Sequence, residues 1–369
     1  MEASAPLPQL EAITTLDEER ARQLQVALKR HAGSKMLVIL SGFPDPDGIS
    51  SALAHRYLAA EHGIETTILT FRDPSHQENR ALLKTLDIEL TLYREDLDLA
   101  PFSCYSLVDS QKMNTPIDPA LKGKAFVAFV DHHKRTSDVP AEFVDIREDV
   151  GATASIYASY LRQRFPKGLD RKDEIQVQIA TALAHGIRTD TQNLIEATRF
   201  DLAAVMFLDS AVSKDLLRKI SRQALSPEIM ELIRRALENK QIYDNYMLSD
   251  VGFVRAEDRD GIPQAADFLL RRGGTDTVLV FGIVDGKAID GSLRTSSEVV
   301  DPDSFLKKTF GMDETTGRYY GGGNLKDKGG FQIPLGYLAT HPDRELTCRL
   351  ARELVSKRFR EAIGKASES

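Results

Sequence analysis

Short, wholly apolar runs alternate with amphipathic stretches through the first 150 residues, and that rhythm changes twice further along the chain. Residues 10–31 carry Ala21, Leu24, Ala27 and Leu28 at helical spacing, which predicts an amphipathic helix. Lys35-Met-Leu-Val-Ile-Leu-Ser41 is then a short apolar run bounded by glycines, the pattern of a strand buried on both faces. Residues 48–61 predict a helix and 65–70 the next strand, with two more strands at 105–108 and 125–130. Strands alternating with helices imply a doubly wound parallel sheet.

Between about 151 and 245 the strand signal vanishes. Helices are predicted at 152–165, 173–186, 200–209 and 227–240, with breaks at Pro166-Lys-Gly168 and Ser226-Pro227. Strands return at 246–253, 277–284 and 287–294, with helices near 262–271, 303–310 and 343–363. Gly329-Gly330 reads as a turn before a strand at 331–333, and Arg271-Arg272-Gly273-Gly274 as a helix C-terminus, where cations complement the dipole. The expected organisation is an N-terminal helical extension (1–34), a main α/β domain (35–200), a helical linker (201–244) and a second, smaller α/β domain (245–369).

Composition narrows the partners. At 369 residues the chain is too long for one ordinary core, and 42% hydrophobic with 28% charged residues is a globular balance. No apolar run approaches the roughly 20 residues of a membrane helix, and residues 1–9 lack a secretory signal pattern, so no membrane partner is expected. Two cysteines, Cys104 and Cys348, make neither a disulfide framework nor a CxxC zinc site, which points to the cytoplasm. A net charge of −7 argues against a long nucleic-acid track, while a small phosphorylated ligand stays compatible if metal ions supply the cations.

The candidate chemistry lies where strands end. Pro44-Asp45-Pro46-Asp47-Gly48 follows the first strand, and two acids two apart in an extended segment would point the same way. A turn that merely caps the next helix fits the same residues. Asp109 ends the strand 105–108, where an acid is commonly a turn residue, and Asp131-His132-His133 ends the strand 125–130, where a histidine pair can be a surface turn. Asp190 ends a helix in Gly186-Ile-Arg-Thr-Asp190-Thr. Asp45, Asp47, Asp109 and His132 fall at the carboxyl ends of three parallel strands, where open α/β sheets bind ligands, and the helix end at Asp190 is a fourth element. Carboxylates with one or two imidazoles suit manganese, iron or cobalt, and converging acids need cations to coexist. His55, His76 and His185 fall outside these motifs and read as helix or loop residues.

The ordered motifs PDPDG (44–48), VDS (108–110), DHH (131–133) and GIRTDT (186–191), with the helix opening at Gly151-Ala-Thr-Ala154, resemble the DHH phosphoesterase family. Gly291-Ser-Leu-Arg294 and Gly321-Gly-Gly323 are similar to the DHH-associated substrate-binding domain, so the resemblance spans about 35–335. It implies two divalent metal ions, most readily manganese. Asp45 and Asp109 would hold one; Asp47, Asp109, His132 and Asp190 would hold the other, with Asp109 bridging. His133 would face the substrate phosphate, and Asp131 would orient the histidine pair. Arg294, Gly321, Gly322, Gly323 and Asn324 would contact the nucleotide. Domain 35–200 becomes the catalytic domain and 245–369 the substrate-binding one.

Two departures stand out. Many members place a histidine four positions before the first Asp, where this chain has Ser41, although RecJ-type exonucleases also lack it; a weaker or more solvated first metal site follows. The glycine triplet is commonly followed by His, here Asn324. The expected activity is hydrolysis of linear dinucleotides or short oligonucleotides to mononucleotides, with cyclic dinucleotides and 3′-phosphoadenosine 5′-phosphate as neighbours. Inorganic polyphosphate or pyrophosphate hydrolysis and a nucleotide-binding protein with an impaired metal site are the alternatives. A homodimer is compatible with this reading.

Overall fold

Every residue of the three central strands but one is buried, and that dictates helices on both faces of the first sheet. The computed structural model describes residues 8–42, 44–74, 77–111, 115–124, 126–135, 140–222, 225–323 and 327–365. The chain divides into two units, Met1–Gln223 and Ala224–Ser369. The first unit runs α1 (Pro8–Arg30), β1 (Lys35–Leu40), α2 (Pro46–Ala60), β2 (Glu65–Thr70), α3 (Gln77–Thr85) and β3 (Thr91–Leu92). It continues through β4 (Cys104–Val108), α4 (Asp118–Leu121), β5 (Phe126–Asp131), β6 (Ala141–Ile146), α5 (Thr153–Arg164), α6 (Glu174–Asp190), α7 (Arg199–Leu208) and α8 (Lys214–Ser221).

The strands lie in the order β3-β2-β1-β4-β5-β6, and every pairing is parallel. Because β1 pairs with both β2 and β4, the winding reverses between β1 and β4, and their carboxyl ends open the crevice where such sheets bind ligands. On β1, Met36, Val38 and Leu40 pack into one core with Leu28 of α1, Ile49 of α2 and Leu183 of α6. Leu37 and Ile39 point to the other face, among Tyr105, Leu107, Phe126 and Phe129. Each fully buried aliphatic side chain contributes about 1.5–3 kcal/mol, so a one-residue slip of β1 has no stable alternative.

The doubly wound parallel sheet is as expected from the apolar runs. The strand read as starting at Ala125 begins at Phe126 among the described residues, Ala125 lying outside them. Strand β6 was not legible because only Phe143 and Asp145 of its six residues are buried, leaving no apolar run. Helix α3 was missed for a similar reason, with only Ala81 and Leu82 buried.

The second unit holds α9 (Pro227–Glu238), β7 (Gln241–Tyr243), β8 (Tyr246–Val254), α10 (Gly261–Leu269), β9 (Thr277–Val284), β10 (Ala288–Thr295) and α11 (Pro302–Phe310). It ends with β11 (Met312–Asp313), β12 (Arg318–Tyr319), β13 (Gly321–Gly322), β14 (Lys328–Pro334) and α12 (Arg344–Ala362). Its main sheet has the order β13-β14-β10-β9-β8-β7, with β8 and β9 parallel and the other pairings antiparallel. Helices α9 and α10 cover one face through Ile229, Leu232 and Ile262, while α11 and α12 cover the other through Leu306, Val355 and Phe359. Gly329 and Gly330, expected as a turn, lie inside β14, where Gly330 pairs with Ser292 and with Gly322.

Candidate metal centre

The site is built where β1, β4 and β5 end and α2, α5 and α6 begin or finish. Asp45 keeps extended backbone and caps α2, its Oδ1 accepting the Gly48 N–H at 2.9 Å. Pro46 opens the helix, so Asp47 sits in its first turn. The two acids are therefore not both on an extended segment, because the proline at N1 starts the helix one residue earlier than the alternation argument supposed. Asp47 is 1% exposed, and its two oxygens accept the N–H groups of Thr153 and Ala154, each at 2.7 Å. Those are first-turn amides of α5, whose helix dipole favours the negative charge.

Asp109 adopts a left-handed conformation, φ 55°, directly after β4. Aspartate tolerates this region better than most residues, and such backbone recurs at functional sites. Its N–H donates to the Val130 carbonyl at 2.9 Å, and its Oδ1 accepts the Thr153 hydroxyl at 2.8 Å. Asp131 closes β5 and is buried. Its Oδ1 accepts the His132 N–H at 2.9 Å and lies 2.8 Å from His133 Nδ1, while Gln111 donates to Oδ2 at 2.7 Å and to the His133 carbonyl at 2.9 Å. The histidine turn is thereby pinned from below.

His132 Nδ1 lies 3.2 Å from the Val150 carbonyl. A carbonyl only accepts, so Nδ1 carries a hydrogen and Nε2 is the nitrogen left to face a metal ion, which would displace the proton that the surrounding acids favour there. That Nε2 is buried with no hydrogen-bond partner of acceptable geometry. Around it stand Asp190 Oδ2 at 3.0 Å, Asp47 Oδ2 at 3.8 Å and Asp109 Oδ1 at 3.8 Å. Asp190 is the last residue of α6, which approaches α2 closely at Gly186: a Cβ there would stand 2.9 Å from the Pro46 carbonyl oxygen and 3.1 Å from Asp47 Cα.

The electrostatics match a cation-binding set. Burial, then Asp190, pushes Asp47 up to about 7. Burial and the neighbouring Asp47 and Asp45 push Asp109 well above the usual carboxylate range, and burial also raises Asp45. Burial alone would depress His132, but Asp190 and Asp47 outweigh it and hold its pKa at about 9. Asp131 goes the other way: burial opposes its charge, yet hydrogen bonds from His133 and Gln111 keep it below its ordinary value. Carboxylates that resist ionisation together are those a divalent ion charge-balances. An imidazole lone pair and carboxylate oxygens fit manganese, iron or cobalt, so the donors present fit a divalent ion. Among the described residues two such groups occur, Asp47–His132–Asp190 and Asp109–His132–His133, each with ligand atoms within 4.8 Å of one another.

The structure thus gathers Asp45, Asp47, Asp109, Asp131, His132, His133 and Asp190 at one edge of the first sheet. Ser41 also ends there, its hydroxyl donating to that of Ser110 at 2.6 Å. His55 and His185 are buried in α2 and α6, and His76 lies outside the described residues.

In the second unit Arg294, on β10, pairs with Asp267 at 2.6 Å, while Asp290 on the same strand pairs with Arg259. Gly321 and Gly322 form β13, and the Gly323 N–H donates to Asp303 at 3.1 Å, while Asn324 lies outside the described residues. Sequence reasoning missed Gln111 and the Val150 carbonyl. Gln111 carries no signal beyond lying two residues after Asp109, and a backbone carbonyl has no sequence signature.

Residues 35–187 match the DHH family, N-terminal domain. An uncharacterized protein of Methanocaldococcus jannaschii is 32% identical over 362 residues, covering 97% of this chain and 70% of that protein. Among solved structures, an exopolyphosphatase-related protein from Bacteroides fragilis superposes with a TM-score of 0.65 at 15% identity, covering 93% of this chain and 98% of that one. An exonuclease RecJ bound to manganese gives a TM-score of 0.47 at 14% identity, covering 90% and 97%. No helix among the described residues is long and apolar enough to cross a membrane.

Proposed function

This chain belongs to the DHH family, whose members are phosphoesterase hydrolases, and from that premise we propose that it is a divalent-metal-dependent phosphodiesterase cleaving linear dinucleotides and short oligonucleotides to mononucleotides. The observation that carries the metal-dependent part is the orphaned Nε2 of His132 facing oxygens of Asp47, Asp109 and Asp190. His132, Asp47, Asp109 and Asp190 would hold one ion, and Asp45 with Asp109 would hold the second. When bound, such ions supply Lewis acidity that lowers the pKa of water and neutralises phosphate charge.

The protein's own groups do the rest. Asp131 holds His133 Nδ1, and that hydrogen bond raises the His133 pKa. The His133 side chain is 61% exposed, so its ring can donate to a phosphate oxygen and offset charge in the transition state. Val150 and Asp131 keep both rings from rotating, which preserves the geometry between turnovers. Arg294, whose Nε is held by Asp267 and whose Nη1 donates to Ser292 and the Leu293 carbonyl, would contact a substrate phosphate through Nη2. The chain's net charge of −7 supports a short substrate over a long polyanion.

The test is a manganese-supplemented product assay on di-, tri- and longer oligonucleotides, cyclic dinucleotides, 3′-phosphoadenosine 5′-phosphate and polyphosphate. Dinucleotides should be turned over fastest, giving mononucleotides. Faster hydrolysis of polyphosphate, with nucleotides left intact, would replace this reading by an inorganic one.

A further inference from the structure

Five consecutive residues that hold no metal-ligand side chain of their own touch three of the four ligands assigned to the ion beside His132. The Val150 carbonyl fixes His132, the Thr153 and Ala154 N–H groups hold both oxygens of Asp47, and the Thr153 hydroxyl holds Asp109. Between them lies Gly151, packed so closely that a Cβ would stand 2.6 Å from the Thr191 methyl carbon and 2.7 Å from Asp201 Oδ2. Thr191 follows Asp190 directly, so the segment also abuts the chain beside the fourth ligand.

What holds this segment in place is Asp201, in the first turn of α7 and 0% exposed. The Gly151 N–H donates to it at 3.0 Å (Oδ2) and 3.2 Å (Oδ1), and the Ser155 hydroxyl at 2.6 Å. Its Oδ2 also accepts the Thr198 N–H at 2.8 Å and hydroxyl at 2.7 Å, completing the capping box of α7. An ordinary capping acid serves one helix. Asp201 serves two, tying the start of α7 to the entry of α5, and α5 is the helix whose first turn carries the Asp47 and Asp109 contacts.

We propose that Asp201 is a positioning residue of the metal centre, acting through Val150–Ala154 on His132, Asp47 and Asp109. It touches neither ion nor substrate. The buried carboxylate fixes where the Val150 carbonyl and the α5 amides point, and these in turn set the His132 ring and the Asp47 oxygens. Replacing it by the amide puts an NH₂ against donors that need an acceptor, so the segment must shift even though volume is conserved. The inference rests on the metal-centre reading above.

The test is calorimetric titration of manganese into metal-free wild type and Asp201→Asn at a temperature where both are folded by circular dichroism. Partners outside the ligand sphere that orient metal ligands are worth about 10–100-fold in affinity, so Asp201→Asn should weaken manganese binding by at least about tenfold. Saturating manganese should then restore much of kcat. Ser155→Ala removes one donor and spares the cap; it should shift affinity in the same direction by less, and it decides the matter if Asp201→Asn does not fold. Wild type that binds no manganese overturns the metal-centre reading and this inference with it. Wild type that binds while both folded variants bind equally well overturns the role of Asp201 alone.

Discussion

Thr153 donates its hydroxyl to Asp109 at 2.8 Å and its backbone N–H to Asp47 at 2.7 Å, so one residue at the start of a helix fixes two carboxylates that arrive from different strands. Hydrogen bonds of this kind leave each acid with lone pairs to spare, since a carboxylate accepts at about four positions. The carboxylates are therefore held for a ligand without being consumed by their supports.

Metal removal is the first consequence. Burial already opposes ionisation of Asp47 and Asp109, and without cations the group is mutually repulsive. Chelation should abolish activity and added manganese restore it, with thermal melting midpoints rising as metal is returned. Undiminished turnover after verified metal removal would rule out a metal-dependent mechanism.

Asp109 should matter more than any single neighbour. Because its φ is 55°, Asp109→Ala mixes backbone strain with loss of the carboxylate, whereas Asp109→Asn keeps a residue type that tolerates this conformation. The asparagine variant should fold normally and lose about a thousandfold or more in kcat, which corresponds to about 4 kcal/mol. A folded variant with near wild-type kcat would remove Asp109 from the centre.

His55 gives a pH signature separate from catalysis. It is 0% exposed in α2, its Nδ1 lies 2.9 Å from the Tyr157 hydroxyl, and burial pushes its pKa down to about 4 from 6.5. The unfolded chain therefore binds a proton that the folded chain refuses. The stability involved is fully present above pH 6.5 and is lost as pH falls toward 4, to a limit of about 3 kcal/mol. Urea unfolding of wild type should weaken more steeply over that range than unfolding of His55→Gln. Parallel pH profiles would show that His55 does not titrate as its burial demands.

Arg294 separates a binding role from a structural one. Its side chain is only 13% exposed, with Nε held by Asp267 and Nη1 donating to the Ser292 hydroxyl and the Leu293 carbonyl, so its removal leaves three acceptors without their donor. Arg294→Ala should therefore lower the melting midpoint measurably and, at a temperature where the variant is folded, also raise KM for a dinucleotide about tenfold or more, with a smaller rise for Asp267→Asn. A large fall in stability with unchanged KM would make Arg294 a structural residue.

By itself the sequence determined the first sheet and the ends at which chemistry collects. The runs at 36–40, 105–108 and 126–130 are buried at every position and apolar apart from Ser106, because both faces are covered, and periodicity reports that directly. The acids and histidines at 45, 47, 109 and 131–133 were visible because strand ends are where a parallel sheet exposes them, and Asp190 because it ends a helix in an acid-bearing loop. What only the tertiary structure decided is how those groups are held. The partners of Asp47 are the amides of Thr153 and Ala154, more than 100 residues away, and the orientation of His132 depends on a carbonyl 18 residues on. Asp201 spaces three residues from Thr198 as any capping box does, and nothing local reveals that Gly151 is also its donor. Backbone donors and acceptors are the same at every position of a sequence, so their use in a site is settled only when packing brings distant segments within 3 Å or so of each other.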